Sequence, residues 1–268
     1  EEGEDYIMFL SEIGFFQKFF GYFRDDYGIS TYHSGGGAGS FSDFRHFAWM
    51  AIAIILCFGL YRLFKKYPRA GRITIVIMLA SLFSVRFINQ TIRAIIGAEV
   101  PAWKAFPFHL CTVMTFLLPI VYFFKLDKLK NATYVLSMMG GIITIILGDY
   151  FDDTFMTFST LEGMSAHTIL LLAPIIEMSL GNFKLEYKNI WQVFVGIGVL
   201  LVWAVLANEV FFRGYNNNYM YLKENALPNN IGGDYYFLIY ALIFLVMINI
   251  IYGAPTLYRY LKKKKTIA

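Results

Sequence analysis

One imidazole and one thiol stand two residues apart in Phe106-Pro107-Phe108-His109-Leu110-Cys111-Thr112, in a chain with only four histidines and two cysteines. The stretch opens an apolar run that extends to about Phe124. Polar groups at such depth in a membrane are costly unless something uses or satisfies them. A cysteine becomes a nucleophile only as its thiolate, which needs a base or a cation nearby. On a helix, residues two apart point about 200° away from one another, so His109 is poorly placed to deprotonate Cys111. His167, in Ser165-Ala166-His167 on another apolar segment, lies at matching depth by the ~1.5 Å helical rise and is the better base. His109 would then polarise a carbonyl or orient a headgroup. Arg86, Asn89 and Gln90 fall in the same half of a neighbouring segment, Asp149 ends another, and Asn208 and Glu209 end a third. Arg86, Asn89, Gln90, Asp149 and Asn208 are candidates to bind substrate, with His109, Arg86 or Asn89 holding a phosphate or a developing oxyanion. Arg86 also reads as an ion-pair partner of Asp149 or Glu209.

Two other chemistries use the same residues. His46, His109, His167 and Asp149 could form a zinc-hydrolase set. Seven-span zinc hydrolases of the ceramidase and adiponectin-receptor type carry a His-x-x-x-His pair in the last span, and Asp234–Tyr252 has no histidine. No metal and no other cofactor is therefore expected, and a metal-dependent membrane hydrolase stands as a lesser alternative. A non-enzymatic lipid-binding or accessory membrane subunit is the other rival. Conduction is disfavoured, because the polar residues sit off-centre and the opposite half is apolar. Cys57 reads as a packing residue. Ser34–Ser40 is Gly-rich, but no P-loop Lys-Ser/Thr follows, so it is a linker. The Lys262–Lys265 run is a stop signal beside anionic headgroups rather than a nucleic-acid patch.

The elements that must carry these side chains are apolar helices. The chain is 57% hydrophobic, 19% aromatic and only 16% charged, which excludes an ordinary soluble domain. Spans are expected at about 44–62, 73–95, 107–124, 131–148, 164–181, 188–209 and 235–256. The fold class is thus an all-α membrane protein, a seven-transmembrane helix bundle. Arg62, Lys65, Lys66, Arg69 and Arg72 follow the first span; Lys125, Lys128 and Lys130 follow the third; Lys184 and Lys188 follow the fifth; Arg259 and Lys262–Lys265 close the chain. The positive-inside rule makes that side cytoplasmic, with the N-terminus outside and all four histidines toward the outer side. Residues 1–42 divide into an amphipathic interfacial helix over about 6–23 and a Gly/Ser loop. Residues 43–256 form the membrane domain, and 257–268 a basic cytoplasmic tail. The N-terminus lacks the positive region of a signal peptide.

Three pieces resemble the YwaF-like integral membrane family, which includes an animal ether-phospholipid acyltransferase of the transmembrane protein 164 type. They are Phe106-Pro107-Phe108-His109-Leu110-Cys111 before an aliphatic span, Ala166-His167 in the fifth span, and Asn217-Asn218-Tyr219-Met220-Tyr221-Leu222 before the last. The linker Pro228–Tyr236 matches the family's Pro-rich stretch only in part. The resemblance covers roughly residues 41–256. It implies acyl transfer through a Cys thioester, with Cys111 as the acyl-accepting thiol and His167 as its base. His109 completes the expected catalytic group, and Tyr219 joins the substrate-binding candidates. The expected partners are phospholipid or lysophospholipid, with a lipid or lipoprotein acceptor, in the cell membrane with the site facing outward.

Overall fold

A computed structural model describes residues 44–95, 106–147, 158–215, 217–225, 227 and 230–267. Side chains of 89–95, 159 and 258–267 lie outside that description. The interfacial helix and Gly/Ser loop expected over 1–42 therefore lie outside the described residues.

Among the described residues, seven α-helices follow in order: α1 (Phe44–Lys66), α2 (Pro68–Ile95), α3 (Leu110–Phe123), α4 (Asp127–Leu147), α5 (Phe158–Ser179), α6 (Ile190–Leu206) and α7 (Tyr236–Ile267). No strand occurs among the described residues. Short 3-10 turns precede α6 and α7, a third forms at Tyr219–Tyr221, and a π turn at Ala207–Phe211 continues α6. All helices except α3 are long and apolar enough to cross a membrane. α3 has 14 residues, about 21 Å of helix against a hydrocarbon core of ~30 Å.

Boundaries follow local chemistry. α2 begins at Pro68, where a fixed φ and a missing N–H cost nothing. α5 ends before Gly181, whose φ of +78° lets the Asn182 N–H fold back on Glu177 O at 3.0 Å. α4 and α5 start several residues earlier than hydropathy suggests, at Asp127 and Phe158, because polar first turns are tolerated at an interface. α3 starts three residues later than expected. Pro107 disfavours a helical Phe106, and His109 is extended as its N-cap, at φ −87° and ψ 152°.

α4 is the hub, packed by α3, α5 and α6, with α5 in turn holding α1 and α2. Tyr134 through Gly141 are buried without interruption. Peripheral helices expose large apolar side chains, such as Ile54, Ile55 and Phe58 on α1 and Val199 and Val202 on α6. That surface suits lipid and would be a liability in water.

The half that reads as apolar apart from Glu177 gathers a polar cluster around that residue. Glu177, 1% exposed, accepts from Tyr134 Oη at 3.4 Å and Asn182 Nδ2 at 3.1 Å, and pairs with Lys130 Nζ at 3.3 Å. Beside it Tyr252 Oη donates to Asn131 Oδ1 at 3.0 Å, and Asn131 Nδ2 to Asn189 O at 2.8 Å. This clasp ties α4, α5, the start of α6 and α7 together at the end opposite Cys111. Hydropathy averages over such a cluster, since each polar residue sits alone in an apolar run.

Candidate active site

Cys111 is the second residue of α3, so its sulfur lies at a helix N-terminus, where the macrodipole favours negative charge. Its Sγ is 3.4 Å from Thr144 Oγ1 of α4. The thiol and the His167 imidazole interact as a hydrogen-bonding and electrostatic pair. The structure thus brings together the two residues that lie 56 positions apart in sequence.

The His167 tautomer follows from its other contact. Nδ1 is 2.6 Å from Gly163 O, one turn earlier. A carbonyl can only accept, so Nδ1 carries the proton and Nε2 keeps the lone pair of the neutral ring. Glu162, in the same turn, is in electrostatic reach of His167 and favours the positive charge that appears when the imidazole is protonated. Arg86 of α2 holds Glu162 at 3.3 Å. Arg86 is therefore an ion-pair residue whose partner is Glu162. Hydropathy and span ends had pointed to Asp149 or Glu209, because Glu162 reads as a loop residue when α5 is started at 164.

Two glycines allow the meeting. A Cβ on Gly140 would stand 3.1 Å from Cys111 Sγ. One on Gly141 would stand 2.7 Å from His167 O and 3.0 Å from Leu171 N. Gly-Gly in a membrane helix lets backbones approach closely; here it brings α3 and α5 against adjacent sides of α4. Thr144 and Gly140-Gly141 are the site residues that the sequence reading missed. Their signal was present as a Gly-Gly-x-x-Thr stripe at helical spacing.

His109 turns away from Cys111 and toward a different element. After α6, residues 217–222 run back over the mouth of α3 as a strap. Asn208, 2% exposed, faces inward from the π turn and fixes this strap. Its Nδ2 donates to Tyr219 O at 3.1 Å and its Oδ1 accepts from Tyr219 N at 3.0 Å. Asn218 closes the next turn through the N–H groups of Lys223 and Glu224. The Met220 N–H donates to His109 Nδ1 at 3.4 Å, and the Leu110 N–H points at Met220 Sδ at 3.2 Å. With Nδ1 accepting, neutral His109 carries its proton on Nε2. The ring lies between Tyr219 and Tyr221, at centroid distances of 5.4 and 5.5 Å. Met220 and Tyr221 both have positive φ, 54° and 56°, a conformation that costs a residue with a Cβ about 1–2 kcal/mol. Tyr219 is buried and packs on Phe108 at 4.9 Å, and Phe108 on Trp203 at 4.9 Å.

The extended backbone ahead of α3 is satisfied by α6 and by the first turn of α3 itself. Pro107 O accepts from Trp203 Nε1 at 3.0 Å, and the His109 N–H donates to Thr112 Oγ1 at 3.2 Å. Irregular backbone at membrane depth is tolerated only when protein supplies such partners.

The remaining candidates divide. Asn89 and Gln90 belong to α2, but their side chains lie outside the described residues, as does all of Asp149. His46 is fully buried and sits 3.1 Å from Ile146 O, anchoring α1 to α4. Among the described residues, no group of three or more His, Cys, Asp and Glu converges to hold a metal.

A bundle of long apolar helices defines a multi-pass helical membrane protein. A model of the TMEM164 family matches residues 40–252, and the chain belongs to that family. Comparison with curated proteins and with solved structures finds no match.

Proposed function

We propose that this protein is a membrane acyltransferase that carries an acyl chain on Cys111. The single observation behind this reading is the contact between a thiol at a helix N-terminus and an imidazole whose Nδ1 is turned to a backbone carbonyl, which makes Nε2 the basic nitrogen. His167 Nε2 takes the thiol proton, and the sulfur attacks the ester carbonyl of a phospholipid. The carbon–sulfur bond forms and the carbonyl pair moves to oxygen. Collapse expels the lysophospholipid alkoxide, which takes the proton back from His167. A second lipid, or a lipoprotein amine, then attacks the thioester with His167 again as base. Thr144 donates to the thiolate, Glu162 steadies the imidazolium, and His109 offers Nε2–H to the oxyanion. Water in place of the acceptor would make the same site a hydrolase.

The chain crosses the cell membrane seven times in this reading. The third crossing combines α3 with the extended Phe106–His109, which carries buried Phe108. The basic linkers and the 257–268 tail face the cytoplasm, residues 1–42 lie at the outer surface, and the site opens outward. Acyl-CoA is absent there, so phospholipid is the donor.

Purified protein incubated with acyl-labelled phospholipid is expected to yield a hydroxylamine-sensitive adduct on Cys111 by mass spectrometry, and Cys111→Ala to yield none. Label on the wild type that persists in Cys111→Ala would overturn the thioester route.

A further inference from the structure

The strap carries one side chain near the site that the acyl-transfer scheme does not use. Tyr221 is 44% exposed and packs beside His109. Its ring is clamped between His109, at 5.5 Å, and Tyr240, on which it stacks at 6.0 Å with only 12° between planes. Its position lies within electrostatic reach of the Cys111 sulfur. It stands beside a second residue, Met220, in the same left-handed conformation. Strain of this kind at a non-glycine pair persists only when the surroundings over-determine it, and it collects where a group must be aimed. Here the aim is fixed from below by Asn208, through Tyr219, and from the side by His109, through the Met220 N–H.

Four other donors among the described residues around the site are engaged. Arg86 is held by Glu162, the His109 N–H by Thr112, the Leu110 N–H by Met220, and Thr144 faces the sulfur itself. We infer that the Tyr221 hydroxyl is a catalytic hydrogen-bond donor that, with His109 Nε2–H, stabilises the oxyanion formed when Cys111 attacks the acyl ester. The inference rests on the acyl-transfer reading. In the step, the phenol keeps its proton throughout. The negative charge appears on the former carbonyl oxygen and is held by the phenol O–H; on collapse that oxygen's electron pair re-forms the C=O bond as the C–O bond to the lysolipid breaks.

Tyr221→Phe deletes the hydroxyl and keeps both ring contacts. Two reactions of Cys111 are compared in the purified, full-length protein. Acylation by labelled phospholipid passes through an oxyanion, and alkylation by iodoacetamide does not. The expected result is acylation slowed about 10²-fold, the usual effect of losing one oxyanion donor, with alkylation at the wild-type rate. Unchanged acylation would overturn the inference, as would an equal slowing of both reactions, which would place Tyr221 in support of the thiol or the fold. Should Tyr221→Phe not fold, Tyr240→Leu, which removes the stacking partner, is expected to slow acylation selectively by a smaller factor; equal rates there overturn the inference too. If the wild type forms no acyl adduct at all, the acyl-transfer reading itself fails and this inference with it. That result is distinct from an active wild type matched by Tyr221→Phe.

Discussion

At the scale of single residues, the proposed nucleophile Cys111 would draw on three small effects rather than one strong base. The first turn of α3 offers its macrodipole, Thr144 offers a hydroxyl at 3.4 Å, and His167 offers a lone pair. A general base in such a site contributes typically 10²–10⁴-fold. His167→Ala is expected to lower the rate of Cys111 acylation within that range while leaving the protein folded. Time-resolved mass spectrometry of the adduct checks this. A change below about threefold would remove His167 from the chemistry, given the smallest effect expected of a base. His109 has another duty. Its Nδ1 receives the Met220 N–H, so it holds the strap as well as facing the substrate path.

At the scale of elements, α4 decides whether the dyad can exist. Helix pairs joined by bulky side chains sit 8–10 Å apart, and Gly140-Gly141 removes the side chains that would enforce that spacing. At Gly141 the obstacle to a Cβ is backbone, which cannot swing aside. Gly141→Ala is therefore expected to destabilise the bundle by about 1–3 kcal/mol, the usual cost of overpacking, and to slow Cys111 alkylation. Gly198→Ala on α6 meets nothing within 4 Å and is expected to be neutral. Thermal unfolding of the two variants in the same detergent makes the comparison. Equal midpoints would mean that the α4–α5 approach is looser than the distances state.

At the scale of the whole molecule, two polar clusters occupy opposite ends of one apolar bundle. The Glu177 clasp lies ten residues along α5 from His167, about 15 Å at helical rise. It serves cohesion, since its hydrogen bonds join four segments of the chain. The proposed orientation puts this clasp at the cytoplasmic face and the strap outside. In a Cys57→Ser, Cys111→Ser background, a membrane-impermeant maleimide added to intact cells is expected to label Lys223→Cys and to spare Lys128→Cys. The reverse pattern would invert the topology and bring acyl-CoA into play as a donor.

The sequence alone determined the helical class, because 57% hydrophobic residues in runs of ~20 admit no other satisfied backbone in lipid. It also singled out the candidate residues of the proposed site. Cys111, His109 and His167 stand out as rare side chains in apolar surroundings, and the helical rise puts two of them at one depth. Depth, however, is only one coordinate. Which faces meet depends on helix rotation and spacing, and these are set by contacts between segments far apart in the chain. Tertiary structure alone decided that Gly140-Gly141 admits the dyad and that Arg86 pairs with Glu162. It alone turned the Asn217–Leu222 motif into a strap over the thiol. Hydropathy cannot contain that last fact, since a π turn, one buried amide and two left-handed residues create it, and none of them alters the apolar pattern along the chain.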